Sequence, residues 1–349
     1  MSNAGLFPYY QGQQQATPFN LTLGLMGYSQ STNFSLAVRT EASRESLADS
    51  VLAFIAQYPN TFNGISVDYE FVSNNGQNFG QTQLENDANG NPYPDNIVDI
   101  SDADNYLSFL QLLKTKAPNV HLAMCTTAAP EKALFDINAY SQTIDAMEIM
   151  TYDLAGAWSP IANHQANLLP NETSLYSAHE AVKYYMSKNC PANKIYIGVA
   201  SYARSMANTD GLNKPCSGGA TLKQWSPGIV DYTMCPPPGS YEVWDSKAMA
   251  TYSYDSGNRW LWSYDSVDSV RCKCAYVHAN GLAGLIHWEA SSDVHISDTN
   301  RSLAYTMWRN LEQVARTSVT VGPAGTSYDM SIAACDSRIQ VYRPDLYSS

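Results

Sequence analysis

Short apolar runs alternate along the chain with amphipathic stretches, and this alternation limits the possible folds more than any other feature of the sequence. Helical patterns lie between the apolar runs, such as 43–57 with Ser43 as the candidate N-cap and 104–116 with leucines on one face. Strands that alternate with helices are typical of βα units around a parallel sheet, so the sequence predicts an α/β fold with six such units. The candidate strands are 21–28, 64–70, 120–127, 146–152, 194–202 and 282–288.

Length and charge narrow the class of protein further. A chain of 349 residues with 44% apolar residues is long enough for one large α/β barrel with an insertion, or for two ordinary domains. The net charge of -12 disfavours partners such as nucleic acid or an anionic membrane and is compatible with a neutral or weakly cationic substrate. No apolar segment follows Met1, so we expect a signal peptide to be absent or already removed.

The strongest chemical signal is the octamer NGISVDYE at residues 63–70. Its even positions share one face of the predicted strand and alternate with apolar residues on the other face. Asp68 and Glu70 are therefore expected to project side by side from the strand's C-terminal end. Repulsion between two carboxylates raises one pKa toward the range in which a carboxylic acid donates a proton at mild pH. The alternative interpretation is a strand end with two solvated acids.

The octamer resembles the D-G-x-D-x-D-x-E signature of glycoside hydrolase family 18, the chitinase family. Later segments resemble that family in the same order, from residue 21 to about residue 310. The resemblance implies a (β/α)8 TIM-type barrel with a small α+β insertion before the last strand. The run 21–28, with MGYS in place of the usual S-x-G-G, corresponds to the third strand of the family. The barrel therefore apparently lacks the first two βα units at the N-terminus.

This correspondence predicts a domain organisation. Residues 1–204 and 271–318 would form the catalytic barrel, 205–270 the α+β insertion with short antiparallel strands, and 319–349 a C-terminal tail. Three explanations remain open for the missing strands, since a barrel without them would leave sheet edges exposed. The N-terminal residues and the tail supply substitutes, of which IQVY at 339–342 is a candidate, or a partner chain completes the barrel, or the chain is a fragment.

The resemblance also assigns roles around the octamer. In family 18 the last Glu protonates the glycosidic oxygen while the substrate's own N-acetyl carbonyl attacks the anomeric carbon, so no cofactor and no metal are needed. Glu70 would be the general acid, and Asp68 would orient the acetamido group and stabilise the positive oxazolinium ion. Ser66, a substrate-binding candidate, stands where the family usually has another Asp. A serine can hydrogen-bond Asp68 but cannot exchange charge with it, which predicts a slower or pH-shifted enzyme.

A second group of candidates follows the predicted strand 146–152. The segment MTYD at 150–153, continued by LAGAW, resembles the M-x-Y-D motif and its G-x-W continuation. The resemblance implies that the Tyr152 hydroxyl binds the acetamido carbonyl oxygen in catalysis, that Asp153 contacts the distorted sugar, and that Trp158 lines a subsite. For Tyr152 the alternative is a buried tyrosine with a satisfied hydroxyl.

The last two predicted strands carry further substrate-binding candidates. The run that ends in SYAR at 201–204 resembles the seventh strand of the family, which places Tyr202 and Arg204 as sugar-contacting or loop-fixing residues. An arginine in this position also serves as a structural ion-pair partner. Trp288 ends a run that resembles the eighth strand, whose tryptophan forms the apolar floor under the sugar. Its alternative role is to fill the core.

Cysteine and sequon patterns bear on the compartment. Seven cysteines are an odd number, so at least one is free or pairs with another molecule. Cys216 and Cys235 lie in a loop-rich region where we expect a disulfide to be useful. Sequons favour a secreted, extracellular glycoprotein and occur at Asn20, Asn33, Asn171 and Asn300.

The sequence as a whole predicts a chitinase-like hydrolase that cleaves β-1,4 linkages between N-acetylglucosamine units by a substrate-assisted retaining mechanism. Its partners would be chitin or N-acetylglucosamine oligosaccharides, with no nucleic acid and no membrane. One alternative is a weak or inactive chitin-binding, lectin-like relative, and the retained Glu70 argues against it whereas Ser66 argues for it. Another alternative is a subunit of a larger secreted or toxin complex.

Overall fold

The computed structural model describes residues 6–16, 19–82, 91–92, 94–174, 176–222, 224 and 227–316. The chain forms two compact units, Met1–Glu148 and Ile149–Ser349. Among the helices of these described residues, none has both the length and the apolar character needed to cross a membrane.

Six strands form one sheet, and each lies at one of the six predicted runs. The strands that begin at Leu21, Phe62 and His121 pair in parallel, as do those that begin at Ile195 and Gly284, which confirms the predicted α/β class. Several strands, such as Leu21–Met26 and Phe62–Asp68, end two residues before the predicted position. The strands, in sheet order, are β1 (Leu21–Met26), β2 (Phe62–Asp68), β3 (His121–Thr127), β4 (Ala146–Met150), β5 (Ile195–Ala200) and β11 (Gly284–Trp288).

The helices of the first unit include the two predicted from periodicity. The predicted N-cap at Ser43 is wrong. Thr40 caps the helix, because its side chain accepts the Ser43 N–H at 3.1 Å while the Ser43 hydroxyl accepts the Thr40 N–H at 3.1 Å, which forms a capping box. The helices are α1 (Leu6–Ala16), α2 (Phe34–Val38), α3 (Glu41–Ala56), α4 (Asp102–Lys116) and α5 (Ile137–Thr143).

An aromatic cluster lies beneath the end of β2. Tyr69 is buried, with ring centroids 4.7 Å from Phe34 and 5.8 Å from Tyr106. Its hydroxyl donates to the carboxylate of Asp102 at 3.2 Å. Because side chains alternate along a strand, the burial of Tyr69 directs its neighbour Asp68 to the opposite face.

The second unit adds a five-stranded antiparallel sheet to its parallel strands. Most of this sheet falls within 205–270, where short antiparallel strands were expected. The boundaries of that insertion as a domain stay a prediction. The strands, in sheet order, are β7 (Ile229–Asp231), β6 (Tyr202–Met206), β10 (Trp260–Tyr264), β9 (Ala250–Asp255) and β8 (Tyr241–Asp245). The helices are α6 (Ala178–Ser187), α7 (Val267–Ala279) and α8 (Leu303–Arg316).

The replacement of the first two barrel strands stays a prediction. Between residues 6 and 16 the chain is helical, and the candidate substitute strand at 339–342 lies outside the described residues.

The expected disulfide of Cys216 and Cys235 is wrong, since both are free thiols. Their sulfur atoms instead donate to the backbone oxygens of Ser159 at 2.9 Å and Asp231 at 3.7 Å.

Candidate active site

The octamer forms β2 and the turn that follows it. Ile65 and Val67 are buried and Ser66 and Asp68 are partly exposed, which agrees with the predicted alternation. The strand ends at Asp68, however, and Glu70 lies beyond it in a turn. Asp68 is therefore the last residue of the strand, whereas Glu70 belongs to the turn that follows it.

The backbone of Glu70 is held on both sides. Its N–H donates to the Ser31 hydroxyl at 3.2 Å, and its carbonyl oxygen accepts from the Asn96 amide at 2.8 Å. Gly80 packs against the same carbonyl so closely that an added Cβ would lie 2.1 Å from it. These three contacts fix where the Glu70 side chain leaves the main chain, and none of the three residues was predicted from the sequence.

Asp68 carries a strongly perturbed carboxyl group. Burial raises its pKa from the ordinary 3.8 to about 6, a hydrogen bond from the Cys125 thiol acts in the opposite direction, and the negative charge of Glu148 raises it further. Within the described residues its buried Oδ1 has no hydrogen-bond partner. The sequence predicted one raised pKa from repulsion between Asp68 and Glu70. The pKa of Asp68 is indeed raised, but desolvation is the main cause, and the carboxylate whose charge adds to it is Glu148.

Ser66 is hydrogen-bonded to a carboxylate, although not to Asp68. Its hydroxyl donates to Glu148 Oε2 at 2.6 Å, and the thiol of Cys125 donates to the same oxygen at 3.4 Å. Sequence reasoning missed both Cys125 and Glu148. The available signal was a glutamate in the middle of the otherwise apolar strand AMEIM. Charged side chains are rare in apolar strands unless they have a hydrogen-bonding or charged partner.

In the second unit, a glycine makes room for Tyr152. The chain leaves β4 at Met150, and the next residue, Thr151, exchanges hydrogen bonds with Gly198 on β5 at 2.7 and 3.2 Å. A Cβ on Gly198 would lie 2.5 Å from the Tyr152 ring. The Tyr152 ring also meets that of Tyr202 edge to face at 6.3 Å between centroids. The position of Tyr152 therefore depends on a residue without a side chain.

Asp153 joins several of the predicted sugar-contacting residues. Arg204 binds its carboxylate with two nitrogens at 2.6 and 2.7 Å, and the Tyr202 hydroxyl donates to it at 2.7 Å. The Asp153 N–H donates to Gln165 Oε1 at 3.1 Å, which holds the residue at a φ of 57°. Arg204 is therefore the ion-pair partner that the alternative interpretation expected. A bidentate pair of this kind fixes the orientation of both groups.

Two of the predicted platform residues are exposed. Trp158 is 59% exposed, and the Arg204 guanidinium lies over its ring at 5.1 Å. Trp288, at the end of β11, is 56% exposed and does not fill the core. Large exposed aromatic rings are suited to packing against the C–H faces of sugars.

Comparison with known proteins gives the family of the chain. The family model described as "Glycosyl hydrolases family 18" matches residues 5–293. The chain belongs to this family. The solved catalytic domain of psychrophilic chitinase B from Arthrobacter TAD20 matches with a TM-score of 0.76 and 26% identity, over 91% of this chain and 76% of that one. The predicted TIM-type fold class is thereby confirmed, whereas the absence of two βα units stays a prediction.

Two curated family 18 relatives are longer than this chain. Endochitinase 1 of Metarhizium robertsii is 30% identical over 286 residues, which are 78% of this chain and 61% of that protein. Chitinase 1 of Aphanocladium album is 29% identical over 306 residues, which are 83% of this chain and 66% of that protein. The chain thus spans slightly less than two thirds of the length of either relative.

Proposed function

We propose that this family 18 chain is a chitinase-like glycoside hydrolase that cleaves β-1,4 linkages between N-acetylglucosamine units with retention of configuration. The observation that carries the proposal is Asp68, a half-buried residue whose pKa is raised to about 6, two residues before a Glu70 whose backbone is fixed on both sides. The names of the relatives as chitinases support the substrate class.

Each candidate residue has a role that its chemistry supports. Glu70 protonates the glycosidic oxygen as the bond breaks, and later removes a proton from the attacking water. The substrate acetamido carbonyl displaces the leaving sugar, and Asp68 binds the acetamido nitrogen and stabilises the resulting cation. Tyr152 donates its hydroxyl to the acetamido oxygen.

The remaining candidates bind the sugar. Asp153 and Arg204 act as one rigid polar unit with the Tyr202 hydroxyl, since the pair is already bidentate before substrate arrives. Trp158 and Trp288 provide exposed aromatic faces. An extracellular location and secretion belong to the same proposal, because chitin lies outside cells and four sequons are present.

Glu70→Gln tests the proposal, because glutamine keeps the shape of the side chain and cannot donate a proton. We expect the parent protein to release chromophore from a chromogenic chitotrioside and Glu70→Gln to lose activity by about a hundredfold or more. The matched control is Glu45→Gln on α3, which removes a carboxylate that pairs with Lys116 at the surface and should leave activity unchanged. No release by the parent, with oligosaccharide binding retained, would favour the lectin-like alternative.

A further inference from the structure

Two neighbouring side chains donate hydrogen bonds to one carboxylate oxygen in the first unit. Ser66 on β2 and Cys125 on β3 both donate to Glu148 Oε2 on β4, and the Ser66 Oγ and Cys125 Sγ atoms lie 3.7 Å apart. Asp68 lies two positions beyond Ser66 on the same face of β2, and the nearby Cys125 thiol lowers the pKa of its carboxyl. The cluster of Ser66, Cys125 and Glu148 therefore connects the Asp68 carboxyl to a second acid that none of the sequence motifs contains.

We propose that Glu148, held by Ser66 and connected through the Cys125 thiol, is the carboxylate that controls the protonation of Asp68 and so replaces the acid absent at position 66. The inference rests on the proposed function and deepens it by naming a positioning residue. It also changes the expectation for Ser66. The serine does not leave Asp68 without an acidic partner but fixes that partner on another strand.

Proton counting supports this assignment. The Ser66 hydroxyl has one proton and gives it to Glu148 at 2.6 Å, so that proton is not available to Asp68. The Cys125 thiol also has one proton and lies next to two carboxyl groups. Because burial raises the pKa of Cys125 well above its usual value, the thiol stays protonated and remains a donor. It can stabilise an anionic Asp68 or an anionic Glu148, but not both at once.

The charges near Asp68 single out Glu148. The titratable groups that act on Asp68 from the packed elements are Cys125 on β3 and Glu148 on β4. Tyr106 on α4 is within range of its charge, and Tyr69 and Glu70 follow it in the chain. Burial raises the pKa values of Tyr106 and Cys125 far enough to keep both neutral. Burial is the main cause of the raised pKa of Asp68, and the negative charge of Glu148 raises it further.

The first test is Glu148→Gln, with the Asp68 carboxyl titrated by carbon-13 NMR of protein labelled at aspartate side-chain carboxyls and assigned with Asp68→Asn. Removing the charge of Glu148 should lower the Asp68 pKa by about one unit. The acidic limb of the pH profile of kcat should move in the same direction. Glu45→Gln, the surface control on α3, should leave the Asp68 titration where it was.

The second test moves the carboxylate back to β2. Ser66→Asp alone adds a third acid and should raise the Asp68 pKa, and Ser66→Asp with Glu148→Gln should return it to near the parent value. If Glu148→Gln alone does not fold, Ser66→Asp is compared with the double variant instead. These two proteins also differ only in the charge of residue 148, so the Asp68 pKa must be lower in the double variant.

An Asp68 pKa that does not respond to the loss of Glu148 in either background overturns the inference, even if the protein hydrolyses chitin oligosaccharides normally. A pKa that moves as expected in a protein without hydrolytic activity would instead leave the inference standing and refute the proposed function.

Discussion

At the scale of single residues, the raised pKa of Asp68 lowers the free energy of unfolding of the protein at neutral pH. Its pKa is raised, so between about pH 4 and pH 6 the folded protein binds a proton that the unfolded chain has released. The folded state therefore loses stability as the pH rises through this window. A shift from 3.8 to about 6 corresponds to at most about 3 kcal/mol at neutral pH.

We therefore expect Asp68→Asn to unfold at higher urea concentration than the parent at pH 7, by up to about 3 kcal/mol in the free energy of unfolding, and to match the parent near pH 4. Urea titrations at both pH values measure this difference. Asp49→Asn on α3 removes an exposed carboxylate that pairs with Lys116 and serves as the control. A gain that is equal at the two pH values would show that the charge of Asp68 is not its source.

At the scale of elements, Gly198 lets β5 approach the residue that follows β4. A methyl group there would lie 2.5 Å from Cδ1 of the Tyr152 ring and 3.1 Å from the Thr151 nitrogen. The Thr151 N–H is bonded to the Ile149 carbonyl oxygen and the Thr151 hydroxyl to the Gly198 backbone, so we expect the Tyr152 ring to move instead.

Gly198→Ala should therefore lower the free energy of unfolding by about 1–3 kcal/mol and reduce kcat/KM for a chromogenic chitotrioside by about tenfold or more. Gly24→Ala is a matched control, because Gly24 lies within the parallel strand β1 and an added Cβ would meet nothing within 4 Å. Urea unfolding and initial rates measure both effects. Equal losses in the two variants would indicate a general effect of alanine in these strands and contradict the role of Gly198.

The elements also show which features the sequence predicts. β2 was predictable because its apolar residues alternate, and Ile65, Val67 and Tyr69 are all buried. The predicted ends of helices and strands were less accurate than the elements themselves. For α3, Thr40 and Ser43 both have side chains that can cap a helix, and the sequence does not distinguish between them. Glu148 was not found, because it meets Ser66 across 82 positions of sequence and Cys125 across 23. Such contacts depend on which strands are neighbours and on their register, and no local pattern specifies either.

At the scale of the whole molecule, the acidic charge of the chain distinguishes between substrates. A net charge of -12 attracts cations over roughly one Debye length, about 10 Å at 0.1 M salt, and has no such effect on a neutral sugar. Chitin oligosaccharides are neutral, whereas partly deacetylated ones carry ammonium groups. The charge should therefore matter for the second class only.

We expect kcat/KM for a neutral chitotrioside to change by less than about twofold between 20 and 500 mM NaCl, because no net charge is screened. For a partly deacetylated oligosaccharide that keeps the acetyl group at the cleaved unit, kcat/KM should fall by roughly threefold or more over the same range, since its encounter with an acidic protein is weakened. Initial rates with both substrates, together with melting temperatures at both salt concentrations, measure the effect. A parallel fall for the two substrates would attribute it to the protein's own stability, and no fall for the cationic one would show that the net charge does not act at the site.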